Sequence, residues 1–547
     1  MSILDASSRP RRIKILAVLS ALTAASALSA CGSPSVSDAT QATGAATASV
    51  PAGLESFYSQ SVDWYPCKED DGMTERGGDT GPGTMSCARV TVPLDYSDPG
   101  GETIQIAMKK RSASADTATG TLFINPGGPG GSGVDFLPRV TSSQFSKDLI
   151  TAYDVIGFDP RGVGDSTAID CLTDAELDAE RSGTESSSLP DDATGEQKRA
   201  AVADETTKRE AKCEAKTQPA ALLDHVDTVS AAKDLDILRA VTGSPALTYF
   251  GYSYGTFLGA TYADLFPGNV GRFVLDGAVD PSISGGQMAL GQAKGFENAL
   301  RAYVENCQSG SDCPLTGSAD DGVKQIQDLL ASLEANPIAT SDDNRPLTRS
   351  LAISGIMVPL YQSEAWSQLS FALSRAMGKT TDDGKPDGST LLYFADLAAQ
   401  RGNDGTYSGN GDEAISAINC ADFPVSGDAA SWDQEASEIK AASPTFGDSL
   451  QYTDVSCQAW GHPSGNDRKA IHASGANPIL VIGTTGDPAT PYEWSQSLAD
   501  QLDSGQLLTW KGNGHTAYGR AGKCVTTAVD EYLLKGTMPA EGLTCEG

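Results

Sequence analysis

Ser253, Asp487 and His515 have the side-chain types, and the order along the chain, that nucleophilic catalysis by a serine requires. A serine hydroxyl is a weak nucleophile, so a histidine must take its proton and an acid must orient that histidine. Ser253 is the centre of a Gly-Tyr-Ser-Tyr-Gly motif, the only Gly-x-Ser-x-Gly in the sequence. These residues predict acyl transfer at Ser253.

The choice of base rests on the positions of the four histidines. His225 lies in an acidic segment, and His462 and His472 lie in or beside a long helical segment. His515 follows a strand-like run at 507–510 through a glycine-rich turn. Because it comes last in the order Ser, Asp, His, it is the expected base.

Asp487 is the expected acid, because it closely follows the apolar run at 479–482. After it, Thr490 as a cap and Pro491 at the first helical position predict the start of a helix. The acid would then lie on a short loop between a strand and a helix. Asp276, at the end of an earlier apolar run, is the alternative acid.

A glycine- and proline-rich run at 125–133 could supply donors for a developing oxyanion. Glycines let backbone N–H groups approach a substrate closely. The expected donors are the N–H groups of Gly128 and of Tyr254, the residue after the nucleophile. A dinucleotide- or phosphate-binding loop is the alternative, but the run has no Gly-Lys-Ser/Thr and its prolines remove N–H groups that such a loop would use.

The surrounding elements predict an α/β fold with a mostly parallel sheet. Short, continuous apolar runs are typical of strands buried on both faces, and they occur at 122–124, 155–158, 247–250, 273–275 and 479–482. Helix-like segments such as 226–241 alternate with several of them. Two alternating segments, 88–92 and 103–107, are separated by Asp-Pro-Gly-Gly and predict a hairpin.

The serine motif has a strand-like run before it and a helix-like segment, 256–266, after it. Strand, tight turn and helix form the setting of a nucleophile elbow. The alternative is a glycine-rich turn in which Ser253 only caps the helix.

Two segments interrupt the alternation of strands and helices. Residues 167–225 are acidic, contain Cys171 and Cys213, and predict a surface excursion. Residues 282–475 are too many for a loop. They contain helix-like pieces such as 353–377, and predict a largely helical domain inserted between core segments 55–281 and 476–547.

The N-terminus has the pattern of an export signal, with basic residues before an apolar run at 13–28. Leu-Ser-Ala-Cys at 28–31 is a lipobox. We expect residues 1–30 to be a signal peptide, Cys31 to be lipidated, and 31–54 to be a flexible tether on the outer face of the cell membrane. The alternatives are an unmodified Cys31 and export through a twin-arginine signal. No later run is long enough to span a membrane.

Eleven cysteines leave ten for pairing if Cys31 is lipidated. An even set in an exported protein predicts disulfides. Pairing neighbours in chain order closes short loops and gives Cys67–Cys87, Cys171–Cys213, Cys307–Cys313, Cys420–Cys457 and Cys524–Cys545. Without Cys-x-x-Cys a metal site is disfavoured, and no cofactor is expected. The net charge of −32 makes nucleic acid a poor partner.

Four motifs together resemble those of the secreted tripeptidyl aminopeptidases of actinobacteria, in the prolyl-aminopeptidase-like branch of the α/β-hydrolases. They are Pro-Gly-Gly-Pro-Gly-Gly-Ser-Gly at 126–133, Gly-Phe-Asp-Pro-Arg-Gly-Val-Gly-Asp-Ser at 157–166, the serine motif, and Thr-Gly-Asp-Pro-Ala-Thr-Pro at 485–491. The resemblance runs from about Cys87 to the C-terminus. Pro126 stands where the wider branch has histidine, which leaves the backbone donors in place.

The resemblance implies an exopeptidase that removes tripeptides from free N-termini, with residues 282–475 as a helical lid. Such an enzyme must bind an ammonium group, and Asp422, next to Cys420, is the candidate carboxylate. The alternative is an exposed surface aspartate. An esterase or lipase, and a binding lipoprotein with an inactive triad, are the other functions considered.

Overall fold

A ten-stranded sheet forms the centre of the described chain, which in this computed structural model comprises residues 50–184, 189–190, 192–381 and 384–546. The strands are β1 (Tyr65–Pro66), β2 (Met85–Pro93), β3 (Thr103–Arg111), β4 (Gly120–Asn125), β5 (Tyr153–Phe158), β6 (Leu247–Tyr252), β7 (Val270–Asp276), β8 (Ile479–Gly486), β9 (Gly505–Asn513) and β10 (Thr544–Glu546). Their order across the sheet is β1-β2-β3-β5-β4-β6-β7-β8-β9-β10. The expected signal peptide, Cys31 and most of the tether lie outside the described residues.

The sheet is parallel from β5 to β10 and antiparallel from β1 to β5. The predicted hairpin is confirmed, since β2 and β3 pair from Met85↔Arg111 to Pro93↔Thr103. The five apolar runs form the interiors of β4 to β8 and are almost entirely buried there. Helices that cover both faces of a parallel sheet explain why these strands are apolar on both sides.

Within the described residues the helices of four or more residues are α1 (Glu55–Tyr58), α2 (Gly133–Ser143), α3 (Lys147–Ala152), α4 (Asp174–Ser182), α5 (Gly195–Lys216), α6 (Thr228–Val241), α7 (Tyr254–Leu265), α8 (Gly285–Gln308), α9 (Ala319–Ser332), α10 (Arg349–Leu360), α11 (Trp366–Ala376), α12 (Ser389–Ala398), α13 (Gly411–Asp422), α14 (Ala429–Ala442), α15 (Thr453–Trp460), α16 (Tyr492–Gln501) and α17 (Gly522–Lys535), besides short 3₁₀ turns. The helix predicted at 226–241 corresponds to α6. Leu54 and Phe57 pack into the core at the start of the described chain.

The segment between β7 and β8 contains α8 to α15, and none of its described residues belongs to a strand of the sheet. The single helix-like piece at 353–377 is in fact two helices, α10 and α11, with a break at 361–365. The excursion between β5 and β6 carries α4 and α5. None of the helices found in the described residues is long and apolar enough to cross a membrane.

Five disulfides are present in the described chain: Cys67–Cys87, Cys171–Cys213, Cys307–Cys313, Cys420–Cys457 and Cys524–Cys545. Each joins two cysteines that are neighbours in chain order, and the paired cysteines are between 6 and 42 residues apart in the sequence. Each therefore stiffens a local part of the fold.

Candidate active site

Ser253 lies at the junction of β6 and α7 with φ 54° and ψ −126°. A positive φ is rare for a residue with a side chain, and strained residues of this kind are concentrated at functional sites. The turn is held by the Ser253 N–H, which donates to Asp276 O at 2.9 Å, and by the Thr256 N–H, which donates to Ser253 O at 2.8 Å. Among the described residues, Ser253 Oγ has no hydrogen-bond partner.

His515 and Asp487 lie together on the loops that follow β9 and β8. His515 Nδ1 lies 2.9 Å from each carboxylate oxygen of Asp487. The Asp487 side chain is fully buried, and it also accepts hydrogen bonds from the N–H groups of Ala489 and Thr490 at 2.9 Å and of Thr516 at 3.2 Å. A carboxyl group held this way keeps the imidazole in one tautomer and orientation.

Thr490 does not cap the helix, contrary to the sequence prediction. Helix α16 begins one residue later, with Pro491 at the cap position and no side-chain cap bond. The Thr490 hydroxyl instead lies 3.1 Å from Asp487 Oδ2 and 3.3 Å from His515 Nδ1. The hydroxyl therefore contacts both Asp487 and His515, a placement that the capping pattern did not reveal.

Asp276, the alternative acid, does not contact the imidazole. Its buried carboxylate accepts the N–H groups of Ala517, at 2.9 and 3.0 Å, and of Tyr518, at 2.8 Å. Burial raises the pKa of Asp276 to about 6, against the opposing effect of these hydrogen bonds. Because its own carbonyl accepts the Ser253 N–H, Asp276 ties the serine turn to the loop that carries His515.

The glycine-rich loop after β4 runs against the serine turn. A Cβ atom on Gly127 would lie 2.7 Å from Ser253 Cβ and 3.1 Å from the Tyr254 nitrogen. The Gly127 N–H donates to Asn125 Oδ1 at 2.9 Å. In the part of the chain that the structure describes, the N–H groups of Gly128 and Tyr254 make no hydrogen bond, so both are free to act as oxyanion donors.

Gly127→Ala should lower kcat/KM by about 10²–10³-fold, the effect of losing an oxyanion donor. The added methyl group would lie 2.6 Å from Tyr252 O, so the loop must move away from Ser253. Gly127 also has φ +97°, so part of the cost is backbone strain. Steady-state hydrolysis of a small ester measures the change.

Gly243→Ala is the matched control, because Gly243 has φ +75° and nothing within 4 Å of an added Cβ. It carries the same kind of backbone strain without the collision. An equal loss in both variants would mean that the loop does not serve the oxyanion.

Asp159 holds the far end of the glycine-rich loop. Its buried carboxylate accepts hydrogen bonds from Ser132 Oγ at 2.7 Å, Val134 N at 3.0 Å and Asp165 N at 2.7 Å. Burial raises its pKa to about 7. The sequence motif at 157–166 contained this residue, but its type gave no sign that it positions the loop.

Asp422 lies at the end of α13 and is only 4% exposed, so the alternative of an exposed surface aspartate is wrong. Its carboxylate accepts the N–H and the hydroxyl of Thr228, at 2.7 and 2.6 Å. Burial raises the pKa of Asp422 to about 7. Since the Thr228 hydroxyl is also hydrogen-bonded to the Tyr254 hydroxyl, Asp422 joins α13 to the residue after Ser253. Its role in binding an ammonium group stays a prediction.

Among the described residues, no group of three or more His, Cys, Asp or Glu side chains is placed to hold a metal ion.

A mostly parallel sheet, a serine in a strained strand-to-helix turn, and an acid and a histidine after two later strands define a serine hydrolase of the α/β-hydrolase fold. The chain is 35% identical to "Serine protease Hip1" of Mycobacterium tuberculosis over 496 residues, which cover 89% of this chain and 91% of that protein.

It is also 34% identical to "Carboxylesterase B" of the same species over 521 residues, covering 94% of each chain. It is 29% identical to "Tripeptidyl aminopeptidase" of Streptomyces coelicolor over 518 residues, covering 92% of this chain and 88% of that protein. The sequence model of the family described as "TAP-like protein" matches residues 443–545. The chain therefore belongs to the TAP-like family of α/β-hydrolases.

Proposed function

We propose that this protein is an exported serine exopeptidase that removes tripeptides from the free N-termini of peptides. The observation that carries the catalytic part is the contact between the buried Asp487 carboxylate and His515 Nδ1. The loop of His515 is in turn linked to the serine turn through Asp276. Ser253 attacks a peptide carbonyl while His515 takes its proton. His515 then protonates the leaving amine, and water hydrolyses the acyl-enzyme.

The peptide substrate is supported by the family relationship, and above all by the similarity to a tripeptidyl aminopeptidase along nearly the whole chain. An exopeptidase of this kind must enclose the end of its substrate. Asp422, on the helices between β7 and β8, is linked through Thr228 to the serine turn. These helices thereby limit the length of the peptide that enters the site.

The second candidate is an esterase, which the relative named carboxylesterase B favours. The same catalytic residues hydrolyse esters and amides, so the substrate must be decided by what lies around them. The signal peptide, the lipidated Cys31 and a position on the outer face of the membrane complete the proposal, and they rest on the N-terminal sequence alone.

Chromogenic tripeptide amides with free and acetylated N-termini, assayed beside short acyl esters, test the proposal. The acetylated peptide should be cleaved about 10²-fold more slowly, because a charge-assisted hydrogen bond to an ammonium group is worth up to about 3 kcal/mol. Equal cleavage of both peptides would contradict the exopeptidase assignment. Rapid hydrolysis of esters with no cleavage of either peptide would support the esterase instead.

A further inference from the structure

The break between α10 and α11 lies against the loop of the proposed base. The His515 N–H donates to Tyr361 O at 2.7 Å, and Gln362 forms an isolated antiparallel bridge with Gly514. The Tyr361 ring meets the His515 ring edge-on, with centroids 5.6 Å apart. We call residues 361–364 the histidine strap. It belongs to the segment between β7 and β8, so a part of the helical insertion contacts the imidazole directly.

Arg520 connects the histidine strap to the backbone on both sides of His515. Its Nη1 donates to His515 O at 2.8 Å and to Thr516 O at 3.0 Å. Its Nη2 donates to Asn513 O at 3.2 Å and to Glu364 of the strap at 2.9 Å. The Arg520 side chain is only 10% exposed, whereas that of Glu364 is 59% exposed. A nearly buried guanidinium thus has four acceptors, three of which are carbonyls of the histidine loop.

The contact between strap and loop is too close for any side chain at Gly514. A Cβ there would lie 2.7 Å from Tyr361 O and 2.6 Å from Arg520 Nη2, and Gly514 has φ +109°. The loop is therefore shaped to receive the strap and the guanidinium.

The same insertion also supports the loop of the acid. Gln292 Nε2, on α8, donates to Ala489 O at 3.2 Å. A Cβ on Gly295, one helical turn further on, would lie 2.3 Å from Pro488 O, so the helix packs directly on the backbone after Asp487. Phe296, next in sequence, meets the Tyr361 ring with centroids 5.4 Å apart, which joins the two supports.

We infer that the histidine strap and Arg520 position the imidazole of His515, so that the helical insertion takes part in catalysis and does not only admit substrate. Arg520 and Glu364 are positioning residues, since neither contacts the reacting atoms. This inference rests on the proposed role of His515 as the base. Without Arg520, the loop would lose the cation that joins its three carbonyls to the strap, and the imidazole would lie off line with Ser253 Oγ.

Arg520→Met tests the inference by comparing small reagents, which the insertion cannot exclude, with a tripeptide substrate, which it can. The rates measured are turnover of p-nitrophenyl acetate, turnover of a free tripeptide amide, and labelling of Ser253 by a fluorophosphonate. All three reactions require His515, whereas only the tripeptide amide fills the substrate site that the helical insertion is proposed to enclose. We expect kcat/KM for both substrates and the rate of labelling to fall by the same factor, about 10–100-fold. For both substrates the loss should appear in kcat. Arg520→Lys should recover part of the loss.

Arg199→Gln is the matched control, because Arg199 on α5 forms an ion pair with Asp433 on α14, which also joins the insertion to the rest of the chain. This variant should stay within about twofold of the unmodified enzyme. If Arg520→Met keeps its rates on the ester and the fluorophosphonate while the tripeptide alone is affected, the strap is only a filter and the inference is wrong. Unchanged rates on all three would also overturn it.

Glu364→Gln replaces Arg520→Met if that variant does not fold, because Glu364 is exposed and only its ion pair is lost. A common two- to fivefold loss on both substrates supports the inference, and unchanged rates overturn it. Ser253→Ala keeps the two hypotheses apart. Activity in Ser253→Ala would refute the proposed mechanism itself, whereas an inactive Ser253→Ala beside a fully active Arg520→Met refutes the strap alone.

Discussion

Ser253→Ala should reduce kcat by about 10⁶-fold and abolish labelling by fluorophosphonates, because the attacking oxygen is removed. The fold should be unaffected: Ser253 Oγ makes no hydrogen bond within the described residues, and the backbone bonds to Asp276 and Thr256 do not involve the side chain. Stability should therefore stay within about 0.5 kcal/mol of the unmodified protein.

The measurements are active-site labelling, turnover of a small ester, and thermal unfolding. Ser59→Ala is the control, since Ser59 is an exposed serine just after α1. It should label and turn over normally. If Ser253→Ala still labels, the nucleophile is another residue and the proposed mechanism fails.

Asp487→Asn should lower kcat by about 10⁴-fold while the protein stays folded. The carboxylate accepts the Nδ1–H of His515, which leaves Nε2 free to take the serine proton. An amide NH₂ at the same place favours the opposite tautomer, in which Nε2 already carries a proton and cannot act as a base.

Asp276→Asn is the natural comparison, because it makes the same substitution at a buried carboxylate on a neighbouring strand. Within the described residues the Asp276 side chain accepts only backbone N–H groups, and because its Oδ2 alone accepts both of them, the amide oxygen of asparagine can take its place. Its activity should fall much less than that of Asp487→Asn. Turnover of the small ester and thermal unfolding of both variants provide the test. A larger loss in folded Asp276→Asn would identify Asp276 as the acid.

The sheet and the order of the candidate residues were predictable because their signals are local. A buried parallel strand leaves a run of apolar residues, and the serine motif lies directly between such a run and α7. Asp487 and His515 each follow a strand-like run, so their places at neighbouring strand ends follow from the topology. The structure brings these two residues into contact, as the hypothesis required.

Contacts made across long stretches of sequence could not be predicted in this way. Thr490 has the side chain of a helix cap, and only the folded chain shows that its hydroxyl also lies beside His515, 25 residues later in the sequence. The break at 361–365 interrupts a continuous helical pattern, and the strap formed there contacts a loop some 150 residues later in the chain, which a local pattern cannot show. Arg520 and Glu364 look like ordinary surface charges in the sequence.

The disulfides have a consequence for how this molecule can move. Among those in the described chain, two lie within the insertion, and the other three lie outside it. None of these five disulfides links the insertion to the rest of the described chain, so apart from its two backbone connections this junction is held by non-covalent contacts, such as those of Asp422 with Thr228 and of Arg520 with Glu364. Disulfide formation therefore stiffens the insertion and the rest of the protein separately. The insertion can shift relative to the sheet without the breaking of a disulfide bond.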